Sequence, residues 1–216
     1  MTRTRVHSGP LVLALASLKG GVGKTTSAVH IAAHLAGAGR TVLLADGDRI
    51  RTATAWGRGG ELPFTVGGMA SLSGAGKYDA VVIDSRGGLE DADLVDLAES
   101  SAALILPSTP DLGGMDGMAQ TVEVLRAAGI PAGRYAALLT MVRPGSERKL
   151  ADARAALEDA GIPALSQTIR LSEAFRDANN GGVLVRDVRG NPLAKGLWAE
   201  YGRVTQEVIT MAGATL

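Results

Sequence analysis

The stretch Lys19-Gly20-Gly21-Val22-Gly23-Lys24-Thr25-Thr26 limits what this chain can fold into more than any other. An apolar run, Leu11 to Ala16, precedes it, and a segment patterned as a helix, Lys24 to Ala38, follows. A strand that passes through a glycine-rich turn into a helix is the setting of a phosphate-binding loop. Glycines let backbone N–H groups close around phosphate oxygens. The helix N-terminus adds partial positive charge at the same spot. In that setting Lys24 reaches the β- and γ-phosphates and the Thr25 hydroxyl ligates Mg²⁺. Gly20, Gly21, Val22, Gly23 and Thr26 are then expected around the phosphates as well.

The rest of the chain suits this beginning. Apolar, β-branched runs alternate with helical patterns, the signature of a parallel sheet covered on both faces. Strands are expected at Leu11–Ala16, Thr41–Asp46, Ala80–Asp84, Ala102–Pro107 and Tyr135–Met141, with an edge strand near Pro63–Val66. Helices are expected at Lys24–Ala38, Leu89–Ser100, Met115–Ala128, Glu147–Ala160, Leu171–Ala178 and Pro192–Met211. The fold class is therefore α/β, a P-loop NTPase fold with a mostly parallel central sheet and helices on both faces. Residues 11–216 read as a single domain, and Met1 to Pro10 as a short mobile tail.

Bulk properties narrow the function. A chain of 216 residues, 46% hydrophobic, has enough apolar content for one α/β core. Lys+Arg and Asp+Glu both number 22, so no global field pulls on nucleic acid, and any such binding needs a local patch. No run approaches the ~18 apolar residues of a membrane span. The absence of cysteine fits a reducing cytosol and excludes thiolate-held clusters.

Two further strand ends carry acids. Tyr78-Asp79-Ala80-Val81-Val82-Ile83-Asp84 closes on a carboxylate, and such an acid in P-loop enzymes holds Mg²⁺ directly or through its water. The carboxyl ends of central strands are where open α/β sheets bind ligands. Val42-Leu43-Leu44-Ala45-Asp46-Gly47-Asp48 places two acids at a second strand end. Asp48 alternatively caps a turn. Arg86, in Ser85-Arg86-Gly87-Gly88, either touches phosphate or pairs with Glu90 or Asp91. His30 and His34 share a helix face and read as packing, and Glu90, Asp91, Asp93, Asp96 and Glu99 as the first turn and wet face of a helix.

The loop also departs from the common motif. Leu18 stands where that motif has glycine, and a second lysine, Lys19, follows it. This two-lysine version resembles the deviant Walker A box of the ParA/MinD ATPases, nearest to small partition proteins of the ParF-like type. The resemblance implies ATP with Mg²⁺, and a face-to-face homodimer in which Lys19 reaches the partner subunit's nucleotide. It makes Lys19, Lys24 and Asp48 the catalytic set, Asp48 positioning the attacking water. Thr25, Asp46 and Asp84 become the metal set, Asp46 supporting the loop through hydrogen bonds. Leu106-Pro107-Ser108-Thr109-Pro110-Asp111-Leu112 resembles the segment that flanks the nucleobase, its prolines, Pro107 among them, fixing a rigid wall against a purine, with Thr109 also binding the nucleotide and Asp111 accepting from the ribose. Met141 is expected near the base on the same analogy.

The segments Thr168 to Phe175 and Asn191 to Trp198 match the family where it binds duplex DNA without sequence preference. From Arg134 to Arg203 there are 11 Lys+Arg against 8 Asp+Glu. Arg170, Arg176 and Lys195 are the candidate phosphate contacts. The implied role is DNA partition: a cytoplasmic, nucleoid-associated ATPase with weak intrinsic hydrolysis, stimulated by a ParB-type centromere-binding protein, and with no membrane partner. The alternatives are a MinD-like regulator, a cargo-positioning ATPase, or a dethiobiotin synthetase-like ligase on the same scaffold. A MinD-like protein would end in a basic amphipathic helix, whereas Glu207 to Leu216 has no basic face.

Overall fold

The computed structural model describes residues 9–60 and 62–216. The expected tail therefore lies, through residue 8, outside the described residues, as does Glu61 within the glycine-rich stretch. Six strands form one all-parallel sheet: β1 Leu11–Leu15, β2 Val42–Asp46, β3 Thr65–Gly68, β4 Ala80–Asp84, β5 Ala103–Ser108 and β6 Tyr135–Leu139. Their order across the sheet is β3-β2-β4-β1-β5-β6. The helices are α1 Lys24–Gly37, α2 Thr52–Gly57, α3 Asp91–Ser100, α4 Leu112–Ala127, α5 Glu147–Asp159, α6 Glu173–Gly181 and α7 Ala194–Met211.

Successive strand residues point to opposite faces, and each face has its own apolar layer. Leu13, Leu15, Leu44, Val82 and Ile105 join the layer under α1 and α7. Ala14, Leu43, Val81, Ile83, Leu104 and Leu106 join the layer under α3, α4 and α5. Burial on both faces explains why these strands read as continuous apolar runs. α1 is buried around most of its circumference, between the sheet and α7, and small residues such as Ala28, Ala32 and Ala33 permit that fit.

Boundaries differ from expectation where side chains intervene. β6 ends at Leu139 and not Met141, because the Thr140 hydroxyl donates to the carbonyls of Val22 and Ser108. Met141 then turns into the left-handed region, at φ 54. α4 begins at Leu112, three residues before the expected Met115, because the Asp111 carboxylate accepts from the Gly114 N–H at 2.9 Å and caps it. The short α2 is held by tertiary contacts and not by periodicity. Trp56 is buried and donates its indole N–H to the Val183 carbonyl at 2.8 Å. β3 adds to the edge at Thr65–Gly68, and a 3₁₀ segment, Met69–Lys77, carries the chain to β4.

Candidate nucleotide site

The chain leaves β1 toward one side of the sheet and, from β4, crosses to the other side at β5. The crevice opens at that switch point, at the carboxyl ends of β1, β4 and β5. Residues 16–23 leave β1 there. Gly21 and Gly23 sit at φ 75 and 83, a region closed to most residues, and an added Cβ at Gly20 or Gly21 would meet no atom within 4 Å. The result is an open backbone concavity. Gly23 is the N-cap of α1 and lends no side chain, so the first-turn N–H groups of α1 are left to whatever occupies the loop.

Lys24 lies against this concavity with only 7% of its surface exposed. Burial lowers its pKa, and Asp84 and Asp48 pull it back up. Asp46 and Asp84 are register partners on neighbouring strands, and both are buried. Asp46 is fully engaged. One oxygen accepts from the Asp48 N–H at 3.1 Å, the other from the Thr54 N–H at 2.8 Å and the Thr54 hydroxyl at 2.6 Å. Asp84 is not: neither carboxylate oxygen has a hydrogen-bond partner of ordinary geometry. Burial raises the Asp84 pKa to about 7, against the opposing pull of the nearby Thr25 hydroxyl and Lys24 ammonium. Gly47 is forced by the closeness of the two strand ends, for a Cβ there would stand 3.0 Å from the Asp84 carbonyl oxygen. Asp48 is half-buried, accepts from the Ile50 N–H at 3.1 Å and lies within electrostatic reach of Lys24 and Asp84.

An orphaned buried carboxylate, a neighbouring hydroxyl and an ammonium fit Mg²⁺ on a polyphosphate. Among the described residues no group of three or more His, Asp or Glu is arranged to hold a cation alone. Phosphate oxygens would have to complete the metal's coordination.

Lys19 occupies the outer side of the loop. Its ammonium lies 3.6 Å from Asp111 Oδ1, both groups exposed, and its stem runs along the first turns of α4. A Cβ at Gly113 would come 3.0 Å from Lys19 Nζ. The Thr109 hydroxyl, the Gly114 N–H and the Lys19 ammonium together hold the Asp111 pKa below its ordinary value. The structure thus engages Asp111, expected at the ribose, as a helix cap and a partner of Lys19. Pro107, expected in the wall against the base, is buried within β5 beside Leu138. Its missing N–H is tolerated because pairing with β1 stops at Ile105.

A cavity of about 290 Å³ adjoins the other side of the loop. Gly23, Thr26, Thr140, Met141, Phe175 and Tyr201 line it, with Arg170 and Arg176 at its wall. Of the residues expected around the base, Met141 lines this cavity, whereas Pro107, Thr109 and Asp111 do not. Arg170, expected on DNA, pairs with the buried Glu200 through its side chain and donates its backbone N–H to the same carboxylate at 3.2 Å. Arg176 pairs with Glu173 one helical turn away. Lys195 is exposed in the first turn of α7. Arg86 pairs with Asp93 at 2.6 Å and with Glu90 at 3.9 Å.

Sequence reasoning missed three supports. Thr54 fixes Asp46, with no signal beyond its place after the acid pair. Tyr201 meets Ser27 of α1 at 3.0 Å. Gly87 lies beside Gly20 and Lys24, a Cβ there falling 3.8 Å from each. His30 packs, as expected: it is fully buried, stacks on Tyr201 at 4.9 Å, and places Nδ1 2.7 Å from the Thr26 carbonyl.

Known proteins resemble this chain in sequence and in fold. The family model of the CobQ/CobB/MinD/ParA nucleotide binding domain matches residues 13–185. The chain is 35% identical over 210 residues to the "Maintenance of carboxysome distribution protein A" of Gloeobacter kilaueensis, covering 93% of this chain and 95% of that one. A chain of the MinC:MinD cell division protein complex of Aquifex aeolicus superposes with TM-score 0.71 at 16% identity, covering 95% of this chain and 96% of that one. A protein assigned to plasmid partition in Borrelia burgdorferi, bound to AMPPNP, superposes with TM-score 0.70 at 18% identity, covering 93% and 98%. The chain belongs to the CobQ/CobB/MinD/ParA family and is a nucleotide-binding ATPase of the ParA/MinD type.

Proposed function

We propose that this chain is an ATP-driven positioning ATPase that binds ATP with Mg²⁺, dimerises face to face, and moves or spaces a cargo on DNA. The observation that carries the reading is the buried, unpartnered Asp84 carboxylate beside Lys24 and Thr25 at the phosphate loop. Such a group costs stability unless a ligand meets it.

Lys24 and the first-turn N–H groups of α1 hold the β- and γ-phosphates, and Thr25 and Asp84 hold the metal, Asp84 losing its proton as it does so. Asp46 keeps the segment Asp48 to Thr54 in place. Mg²⁺ supplies charge neutralisation across the phosphates. Asp48 orients the attacking water, and this arrangement of positioning without covalent help suits slow turnover. Met141 and the cavity beside Gly23 receive the base and ribose. Lys19 leaves Asp111 and reaches the partner subunit's nucleotide.

Lys195 and Arg176, with Arg170 behind them, give the basic side that meets duplex phosphates. A ParB-type partner, or its equivalent on a protein cargo, stimulates hydrolysis and release. The relative named for carboxysome distribution favours a protein cargo; the fold shared with a partition protein keeps a plasmid or chromosome as the second reading. Among the described residues no helix is long and apolar enough to cross a membrane.

The test is Lys19→Ala. The variant is expected to bind ATP as the parent does but to stay monomeric by light scattering and to lose duplex DNA. A variant that still dimerises with ATP overturns the role across the interface. Lys195→Ala is expected to weaken all duplexes alike and to flatten the salt slope by about one unit per lost phosphate contact.

A further inference from the structure

A second cavity, about 370 Å³, lies on the far side of the acid-bearing strand ends and takes no part in the nucleotide site. Its floor is Gly47 and Ser85, the residues that follow Asp46 and Asp84, joined by the Gly47 N–H donating to the Asp84 carbonyl at 2.8 Å. Its walls are apolar: Ile83, Met69 and Leu72 from the 3₁₀ segment, Leu89 and Leu97 from α3 and its approach. Met69 is 43% exposed, and its sulfur hangs over Gly47, 3.4 Å from where a Cβ would be. Methionine at such a place repacks readily around an incoming group.

The rim is acidic. Asp93 and Asp96 line the opening, and α3 also carries Asp91 and Glu99 but no basic residue. Among the described residues that line the opening the one cation, Arg86, is strapped across it by Asp93 and Glu90. Arg86 stands between Ser85, in the cavity floor, and Gly87, which lies beside the phosphate loop, a Cβ there falling 3.8 Å from Gly20 and from Lys24 Nζ. Whatever enters the cavity therefore presses on a turn that leads directly to the phosphate loop.

We infer that this cavity is a docking site for a short segment of a partner protein, one that carries a bulky apolar side chain between lysines or arginines. The apolar side chain fills the space beneath Met69, Leu72 and Leu97. The flanking cations pair with Asp96 and compete with Arg86 for Asp93 and Glu90. Arg86 then swings free, and the turn at residues 85–87 shifts against Lys24. The inference rests on the reading of the phosphate loop only for this last consequence, a change in hydrolysis. The docking itself stands on the cavity and its charge.

The experiment is a selection of random dodecapeptides on the full chain, followed by anisotropy measurements on the winners. Asp96→Lys reverses one rim charge, and Ser100→Trp fills the mouth. Both positions are exposed, and neither belongs to the nucleotide site. Enriched peptides are expected to carry an apolar residue flanked by lysine or arginine. They should bind each variant about tenfold or more weakly, while both variants take up ATP like the parent. Methyl signals of Met69, Leu72 and Leu97 should move on binding. Enrichment of acidic or neutral peptides, or winners that bind both variants as tightly as the parent, overturns the site. Failure of ATP uptake with peptide docking intact would strike the nucleotide reading and leave this one standing. Docking without any change in hydrolysis would overturn the coupling through Arg86.

Discussion

Asp46 and Asp84 end neighbouring strands, face each other in register and are equally hidden from water, yet their surroundings differ completely. Asp46 accepts three hydrogen bonds from Asp48 and Thr54, which occupy both of its oxygens. Asp84 accepts none, and burial holds its proton on to about pH 7. The lesson is that two carboxylates a strand apart are built for different ends. Asp46 clamps the segment that carries Asp48, and Asp84, left without an acceptor bond, is the one we propose for the metal.

Removing the cation beside Asp84 should have the largest effect. Lys24→Ala is expected to cut ATP affinity on the order of a hundredfold or more, since a charge-assisted phosphate contact is lost in a buried setting; titration calorimetry reads it. Swapping the acids for amides then separates them. Asp84→Asn should abolish magnesium-dependent hydrolysis yet raise the melting temperature of the nucleotide-free protein, because the buried charge is gone. Asp46→Asn should do the reverse to stability, lowering it by about 1–3 kcal/mol as acceptor bonds to Thr54 and Asp48 fail. Equal melting shifts of the same sign in the two variants would erase the distinction.

The pH dependence sharpens it further. The folded Asp84 pKa, about 7, stands above the unfolded value near 3.9. Its contribution to the nucleotide-free protein is therefore full below about pH 4 and falls away as pH rises to about 7. His30 works against this: burial depresses its pKa to about 4, so its contribution is present above about 6.5 and lost as pH falls to 4. The difference in melting curves between parent and Asp84→Asn isolates the carboxylate, and the gap should widen from pH 4 to 7. An effect of similar size to Asp46→Asn is expected for Gly47→Ala. Its Cβ would crowd the Asp84 carbonyl at 3.0 Å and part the two strand ends, at a cost of about 1–3 kcal/mol in urea denaturation.

Much of this was legible in the residues. The phosphate loop, the five main strands and the helices after them follow from the glycine pattern, the apolar runs and their stops. The acids at the ends of β2 and β4 were visible as strand-ending carboxylates, but their division of labour was not. It depends on Thr54, which a tertiary fold brings back onto Asp46. α2 was missed because its reason to exist is Trp56 and its bond to Val183, over a hundred residues later in the chain. By resemblance Pro107 was expected to wall the base and Asp111 to accept from the ribose. The structure engages one as a cap and buries the other in a strand, since no local pattern says which way a loop leaves the sheet. Arg170 had no sequence signal for its partner Glu200, thirty residues away on α7.

The account turns on a metal-bound triphosphate seated between Lys24, Thr25 and Asp84. Calorimetric titration of ATP into the purified chain, with and without magnesium and across the range around pH 7, tests it most directly. The expected result is saturable uptake that strengthens with magnesium and with rising pH as Asp84 gives up its proton. A flat trace with magnesium present, or uptake of equal strength in the Asp84→Asn variant at every pH, would contradict it.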